Sequence, residues 1–250
     1  MTIPKKAPKM ILFDYGHTLI HEYKYDPIAG YGALLQHASV NRNGVTAAEV
    51  KKRAWDLMRN VVDVVYEKYN LEIPEQSFLR VVFEGLGVEI TDLTPEEQEQ
   101  LFWDAGCPGR PMAHLEDFLA ELRVRGIRTG VISNLSFSGA SLKRRLDDLL
   151  PDHSFEFILS SCDYVFRKPH PHMFQIALQK AGLEPEDVWF CGDNTEADLL
   201  GSHNAGMFPV WYECGLDRFY LSADADKEPE FDHIHIKDWD ELKDILKGLE

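Results

Sequence analysis

Basic residues are scarce in this chain: 26 Lys and Arg stand against 42 Asp and Glu, a formal charge of −16 over 250 residues. An exterior of that sign repels phosphate backbones and anionic lipid surfaces, so neither nucleic acid nor a membrane is an expected partner. A small phosphorylated molecule is not excluded, because a local cluster of cations and backbone N–H groups can overrule the global sign. Cysteine is sparse too. Cys107, Cys162, Cys191 and Cys214 form no CxxC pair, which argues for buried thiols and against a disulfide frame or a zinc knuckle. Long apolar runs are also lacking. The opening MTIPKKAPKM is basic, but the apolar residues that follow stop at Asp14, too soon for a signal-peptide core or a membrane span. A cytoplasmic protein is expected. There is no internal repeat and no low-complexity tract.

What is present is a rhythm of short apolar runs: 10–13, Thr129 to Ser133, Phe155 to Leu159, Val188 to Cys191 and Phe208 to Tyr212. Helical patterns lie between them. Leu115, Phe118, Leu119 and Leu122 recur at i, i+3, i+4 and i+7; Pro171 to Ala181 reads as a helix stopped by Gly182; Asp238 to Leu249 reads as a closing amphipathic helix. Strands alternating with helices predict an α/β fold, a parallel Rossmann-like sheet covered on both faces, with its active site beyond the carboxyl ends of the strands.

Residues 21–108 break the rhythm. Thr46-Ala-Ala-Glu49 is a capping box opening a helix with Val50, Ala54, Leu57, Met58, Val61 and Val65 on one face; Ser77 to Leu86 reads as helical, and Thr94-Pro95-Glu96-Glu97 starts another helix. The expected organisation is an α/β core of residues 1–20 and 109–250 with a helical cap, 21–108, inserted after the first strand. Such a block can form a lid over the active-site edge or pack on the side of the core.

Four stretches fall at predicted strand ends: Asp14-Tyr-Gly-His-Thr18, Ser133-Asn134 in GVISNLS, Lys168 in FRKPHPHMF, and Asp193 with Asp198 in FCGDNTEADLLGSHNAGM. Singly, each reads as ordinary turn or cap chemistry. Together, and in this order, they resemble the haloacid dehalogenase superfamily, specifically the branch with a helical C1-type cap after the first motif. The resemblance spans residues 10 to 214. It implies a phosphatase-type hydrolase in which Asp14 attacks phosphorus and forms an aspartyl-phosphate. It further implies that Ser133 and neighbouring N–H groups hold the phosphoryl oxygens, with Asn134 beside them, and that Lys168 neutralises their charge. Asp14, the carbonyl of Gly16 and Asp193 would bind Mg²⁺, with Asp198 completing or orienting the shell. Thr18 would fix the loop at the substrate end.

The family's DxDxT pattern places a second carboxylate two residues after the nucleophile, as proton donor to the leaving oxygen. Thr18 keeps its place here, so nothing has slipped, and position 16 is glycine. General acid–base catalysis is worth about 10² to 10⁴ in rate. His17 can supply the proton, with a loop histidine facing solvent or the cap as the bland alternative. A substrate needing no acid is a second possibility, as in the phosphonatase branch with its cap lysine (here Lys24, Lys51, Lys52 and Lys68 lie in the insertion). A domain that binds without turnover is the third. Selectivity is expected in the cap, around His21, Tyr23 and Tyr25. His170 with His172, and His233 with His235, could each point at one metal, but no third ligand stands at a diagnostic spacing, and solvated or edge-strand histidines are the expected reading. The leading expectation is a Mg²⁺-dependent phosphatase with weak or unusual activity on a small phosphorylated metabolite.

Overall fold

Ten strands and eleven α-helices alternate along the chain in a computed structural model that describes residues 4–216 and 227–249. The strands are β1 (Met10–Phe13), β2 (Ile20–Glu22), β3 (Ala38–Asn41), β4 (Val88–Ile90), β5 (Gly109–Pro111), β6 (Arg128–Ser133), β7 (Phe155–Ser160), β8 (Val188–Gly192), β9 (Phe208–Tyr212) and β10 (Ile234–Ile236). The helices are α1 (Pro27–Leu35), α2 (Ala47–Leu57), α3 (Asp63–Tyr69), α4 (Glu75–Gly85), α5 (Pro95–Gly106), α6 (Leu115–Val124), α7 (Gly139–Leu149), α8 (Ser161–Tyr164), α9 (Pro171–Ala181), α10 (Gly201–Asn204) and α11 (Trp239–Lys247).

Six strands form one sheet in the order β10-β9-β8-β1-β6-β7, and every pairing in it is parallel. The predicted α/β fold is therefore observed. Side chains alternate across β1: Ile11 and Phe13 join a cluster with Leu115, Phe118 and Trp239, whereas Met10 and Leu12 join a cluster with Met173, Phe174 and Phe190. Both faces are thus covered, by α6 and α11 on one side and α9 on the other, which is why β1 is apolar at every position. β1 lies between β8 and β6, so whatever follows these strands meets at one edge of the sheet.

The residues between β2 and β5 are mostly helical, α1 to α5, with a short antiparallel β3–β4 pair among them. β2 and β5 themselves pair antiparallel, Ile20 opposite Pro111 and Glu22 opposite Gly109, and form the ribbon by which the chain leaves and re-enters the core. Both capping boxes form as read: Thr46 with Glu49, and Thr94 with Glu97. The helical face read from Val50 continues through Ala54, Leu57 and Met58 and then changes phase. Met58–Val62 is a π-turn, whose wider loop shifts the phase, burying Val62 and leaving Val61 46% exposed. None of the four cysteines is in a disulfide; Cys107 and Cys191 are buried, and Cys162 and Cys214 are half-buried. Among the described residues, no helix is long and apolar enough to cross a membrane.

Candidate active site

The parallel register carries Asp14, Ser133 and Asp193 to one edge, at the ends of β1, β6 and β8. Asp14 takes its first bond from the sheet, its N–H donating to the carbonyl of Cys191 at 2.9 Å. Lys168 reaches in from the loop after α8. Its buried ammonium donates to Asp14 Oδ1 at 2.7 Å, Asp198 Oδ1 at 2.6 Å and the Ile132 carbonyl at 2.8 Å. Burial opposes the Lys168 charge, but Asp14 and Asp198 outweigh it and raise its pKa. Burial pushes the Asp198 carboxyl up to about 6, Lys168 drawing it down and Asp14 adding to the rise. Asp198 also accepts from the Asn194 N–H at 3.0 Å. It lies so close over β8 that a Cβ on Gly192 would stand 2.3 Å from its Oδ2, so only glycine fits there.

The Asp14–Thr18 loop is a tight turn in which Leu19 and Ile20 N–H groups both return to the Tyr15 carbonyl. Its left-handed residue is His17 (φ 54°), not Gly16. That geometry turns the His17 side chain inward, leaving it 1% exposed with its ring centroid 5.6 Å from that of His21. The solvent-facing reading of His17 is therefore corrected. Thr18 is wholly buried and its hydroxyl meets no hydrogen-bond partner among the described residues. Ser133 is buried at the end of β6. Asn134 bonds the Lys168 backbone with both ends of its carboxamide: Nδ2 donates to the Lys168 carbonyl at 2.8 Å and Oδ1 accepts from its N–H at 2.6 Å. It positions the lysine loop with one N–H and one lone pair, leaving its second N–H and second lone pair uncommitted by these two bonds. Tyr23 and Tyr25 are exposed, while His21 is half-buried on β2. His170 and His172 pack beside Phe166, with His172 Nδ1 at 3.1 Å from Gln175, and gather no third ligand among the described residues.

Three supporting networks were invisible in the sequence. Arg145, buried on α7, donates to the Tyr15 hydroxyl at 2.6 Å and to the Cys107 carbonyl, and lies 4.6 Å over the Trp103 ring. Glu22 accepts from Tyr15 at 3.0 Å and from Trp103 Nε1 at 2.8 Å, which ties the residue beside Asp14 to the ribbon and the insertion. Arg167 pairs with buried Glu72, and Ser161 donates to the same carboxylate at 2.5 Å. Next to them the backbone of the insertion joins the lysine loop: Glu72 N–H to Val165 carbonyl, Arg167 N–H to Asn70 carbonyl at 2.8 Å. A signal existed for α7 alone, since Ser138 caps it and Leu142 and Leu146 mark its buried face.

Glu75 is the third point of contact. It accepts from Ser136 Oγ at 2.9 Å, and burial pushes its carboxyl up to about 7, with Ser136 opposing and Glu99 and Glu72 adding. Between the usual 4.5 and about 7 the folded chain holds a proton that the unfolded chain releases, so stability falls as pH rises through that window. At 1.36 kcal/mol per unit, the cost above pH 7 is about 3 kcal/mol. Glu75→Gln is expected to unfold at higher urea than wild type at pH 8 and at nearly the same urea at pH 4.5; a constant difference between the two pH values would remove Glu75 as the titrating group.

Asp14, Asp193 and Asp198 offer carboxylate oxygens all within 4.8 Å of one another, every one buried. A set of hard oxygen donors, with the Gly16 carbonyl on the adjoining loop, suits Mg²⁺, and a single lysine cannot neutralise three carboxylates. The residues present fit that ion.

Fold and site together form an α/β frame with a buried carboxylate–lysine cluster at its strand ends, an arrangement similar to that of haloacid dehalogenase-like hydrolases. Residues 108–211 match the family model described as haloacid dehalogenase-like hydrolase. Over 139 residues the chain is 32% identical to a glyceraldehyde 3-phosphate phosphatase of Methanothermobacter thermautotrophicus, which covers 55% of this chain and 59% of that protein. The chain spans about half the length of the curated relatives it matches. In structure it is similar to a HAD phosphatase from Thermococcus onnurineus (TM-score 0.63, 23% identity, 97% of this chain and 98% of that one). It is equally similar to a 2-haloacid dehalogenase from Pseudomonas syringae pv. Tomato DC3000 (TM-score 0.63, 22% identity, 97% and 100%). A phosphatase and a dehalogenase share this fold to the same degree, so the fold alone does not choose the reaction.

Proposed function

We propose that the chain is a Mg²⁺-dependent phosphatase for a small phosphorylated metabolite, working through an aspartyl-phosphate on Asp14. The observation that supports it most is the Lys168 ammonium bonded at once to Asp14 and Asp198, with Asp193 beside them. A nucleophilic carboxylate held against a buried cation is poised to meet an anionic phosphoryl group. When bound, Mg²⁺ would be held by Asp14, Asp193 and the Gly16 carbonyl and would offset the charge of the phosphoryl oxygens. Asp14 forms the new O–P bond as the ester P–O bond breaks. Lys168 and the N–H groups after Ser133 hold the transferring oxygens, and water then attacks phosphorus to free phosphate and Asp14. The leaving oxygen takes its proton from His17 or from water, since Gly16 carries none. The helices between β2 and β5 act as the cap, 21–108, over the core of 1–20 and 109–250. The cytoplasmic setting expected from the sequence remains part of this proposal.

Gly16 also favours a second reading, a domain that binds a phosphorylated ligand without turning it over. A phosphonate substrate has less support, because Lys24, Lys51, Lys52 and Lys68 are all exposed and supply no buried cap ammonium. Turnover of a panel of phosphate esters with Mg²⁺ separates the readings. The wild-type chain is expected to release phosphate and Asp14→Asn to fall to background; equal release by both would discard Asp14 as nucleophile. In calorimetric titration, Asp193→Asn is expected to lose Mg²⁺ binding, and unchanged affinity would remove Asp193 as a ligand.

A further inference from the structure

The edge of the sheet farthest from β7 carries a second constellation, built on His235 of β10 and His233 just before it. His233 and His235 sit two residues apart, so their side chains leave the strand on the same side. The third group absent from their sequence neighbourhood arrives through the fold: Glu228 Oε1 stands 3.2 Å from His233 Nε2, and its Oε2 3.9 Å from His235 Nδ1. Ligand atoms from all three residues lie within 4.8 Å of one another.

Each imidazole has its other nitrogen already committed. His233 Nδ1 is 2.9 Å from the Phe231 carbonyl, an acceptor, so Nδ1 carries the proton and Nε2 presents its lone pair. His235 Nε2 is 3.0 Å from Glu213 Oε2, which fixes the proton there and leaves the Nδ1 lone pair. Glu213 is itself held by Lys237 at 3.0 Å, and the His235 ring is stacked on Trp211 at 4.1 Å. In the neutral tautomer, His233 Nε2 and the Glu228 carboxylate are two acceptors facing each other. The side chain of His233 is 4% exposed, and among the described residues its Nε2 makes no hydrogen bond, so the opposition sits where solvent has little access. A cation resolves it.

We propose that Glu228, His233 and His235 form a binding site for a divalent transition metal, Zn²⁺ by donor type, at the β9–β10 edge. Two imidazoles and a carboxylate suit Zn²⁺ over Mg²⁺, and three protein ligands leave a fourth position for water. For bonds near 2.1 Å the edge of a tetrahedron is about 3.4 Å, between the two nitrogen–oxygen distances found. The Phe231 carbonyl and Glu213 are the outer partners that fix ring orientation and raise ligand basicity. The metal would clip residues 228–233 onto β10, away from the Asp14 cluster, and stands independently of the phosphatase reading.

The test is Zn²⁺ alone, titrated against a chromophoric chelator into chelator-stripped protein carrying Asp193→Asn and His114→Ala, which disable the two other described groups able to hold a metal. One equivalent bound tighter than about 10 µM is expected, a range ordinary for such donor sets. Glu228→Gln and His235→Ala should each weaken it at least about 100-fold, and Glu213→Gln about 10- to 100-fold. Glu228 is mostly exposed, so its variant should fold, and a far-ultraviolet circular dichroism spectrum matching the parent checks that. Binding weaker than about 10 µM, or a folded Glu228→Gln protein that binds as tightly as its parent, overturns the site and leaves a proton between His233 and Glu228.

Discussion

Lys168→Met is expected to destabilise the chain by about 3–5 kcal/mol in chelator at pH 8, the usual consequence of removing one partner from a buried ionic cluster. Among the described residues, its ammonium is the only cation bonded to both Asp14 and Asp198, and both carboxylates are buried. Methionine keeps the stem's volume, so the loss isolates charge rather than packing. The pH dependence carries the diagnosis. Asp198 already sits high, at about 6, because of burial, and without Lys168 to draw it down it rises further. Protonation at pH 5 relieves the repulsion, so the deficit measured by urea unfolding should shrink there. Added Mg²⁺ should restore part of it at pH 8, while turnover stays down by about 10² to 10³ or more for want of a donor to the phosphoryl oxygens. A deficit below about 1 kcal/mol at every pH would mean that the cluster is solvated, contrary to its burial.

Gly16→Asp is expected to act in the opposite sense and raise phosphatase turnover, with a gain of at most about 10² to 10⁴. The backbone permits it: the left-handed residue of the loop is His17, so position 16 does not demand glycine on grounds of φ. The new carboxyl would stand two residues from Asp14, where a leaving oxygen needs a proton. His17→Ala distinguishes the sources in the wild-type frame: lost turnover assigns the proton to His17, whereas an unchanged rate assigns it to water. A folded, Mg²⁺-binding Gly16→Asp protein with no gain on any ester would move the protein to the binding-domain reading.

The legible parts of this chain were those written in local chemistry. Short apolar runs marked five of the six strands of the main sheet, with β10 signalled only by the alternating His233 and His235; Gly182 marked the end of α9, and Thr46 and Thr94 announced their helices. The three-residue strands β2 and β5 were not legible, because their pairing joins Ile20 to Pro111 across the whole insertion. Nor was the π-turn at Met58–Val62, where packing overrides the 3.6-residue period that the pattern assumes. In the candidate site, Asp14, Ser133, Lys168, Asp193 and Asp198 were singled out by their order and strand-end context, and the fold gathers them at one edge of the sheet. Arg145, Glu72 and Glu75 were missed, since a charge becomes informative only when its distant partner is known. Glu228 escaped for the same reason, although His233 and His235 were noticed.

The bonds between residues 70–72 and 165–167 have a mechanical consequence. Asn70 and Glu72 grip the chain immediately before Lys168, while the ribbon of β2 and β5 anchors the insertion at Tyr15 through Glu22. Any swing of the insertion about that ribbon must peel these backbone bonds from the lysine loop one after another, and it pulls on the segment that sets the ammonium's position. Position and electrostatics are therefore wired in series: a force on the insertion is applied within three residues of the Lys168 cation.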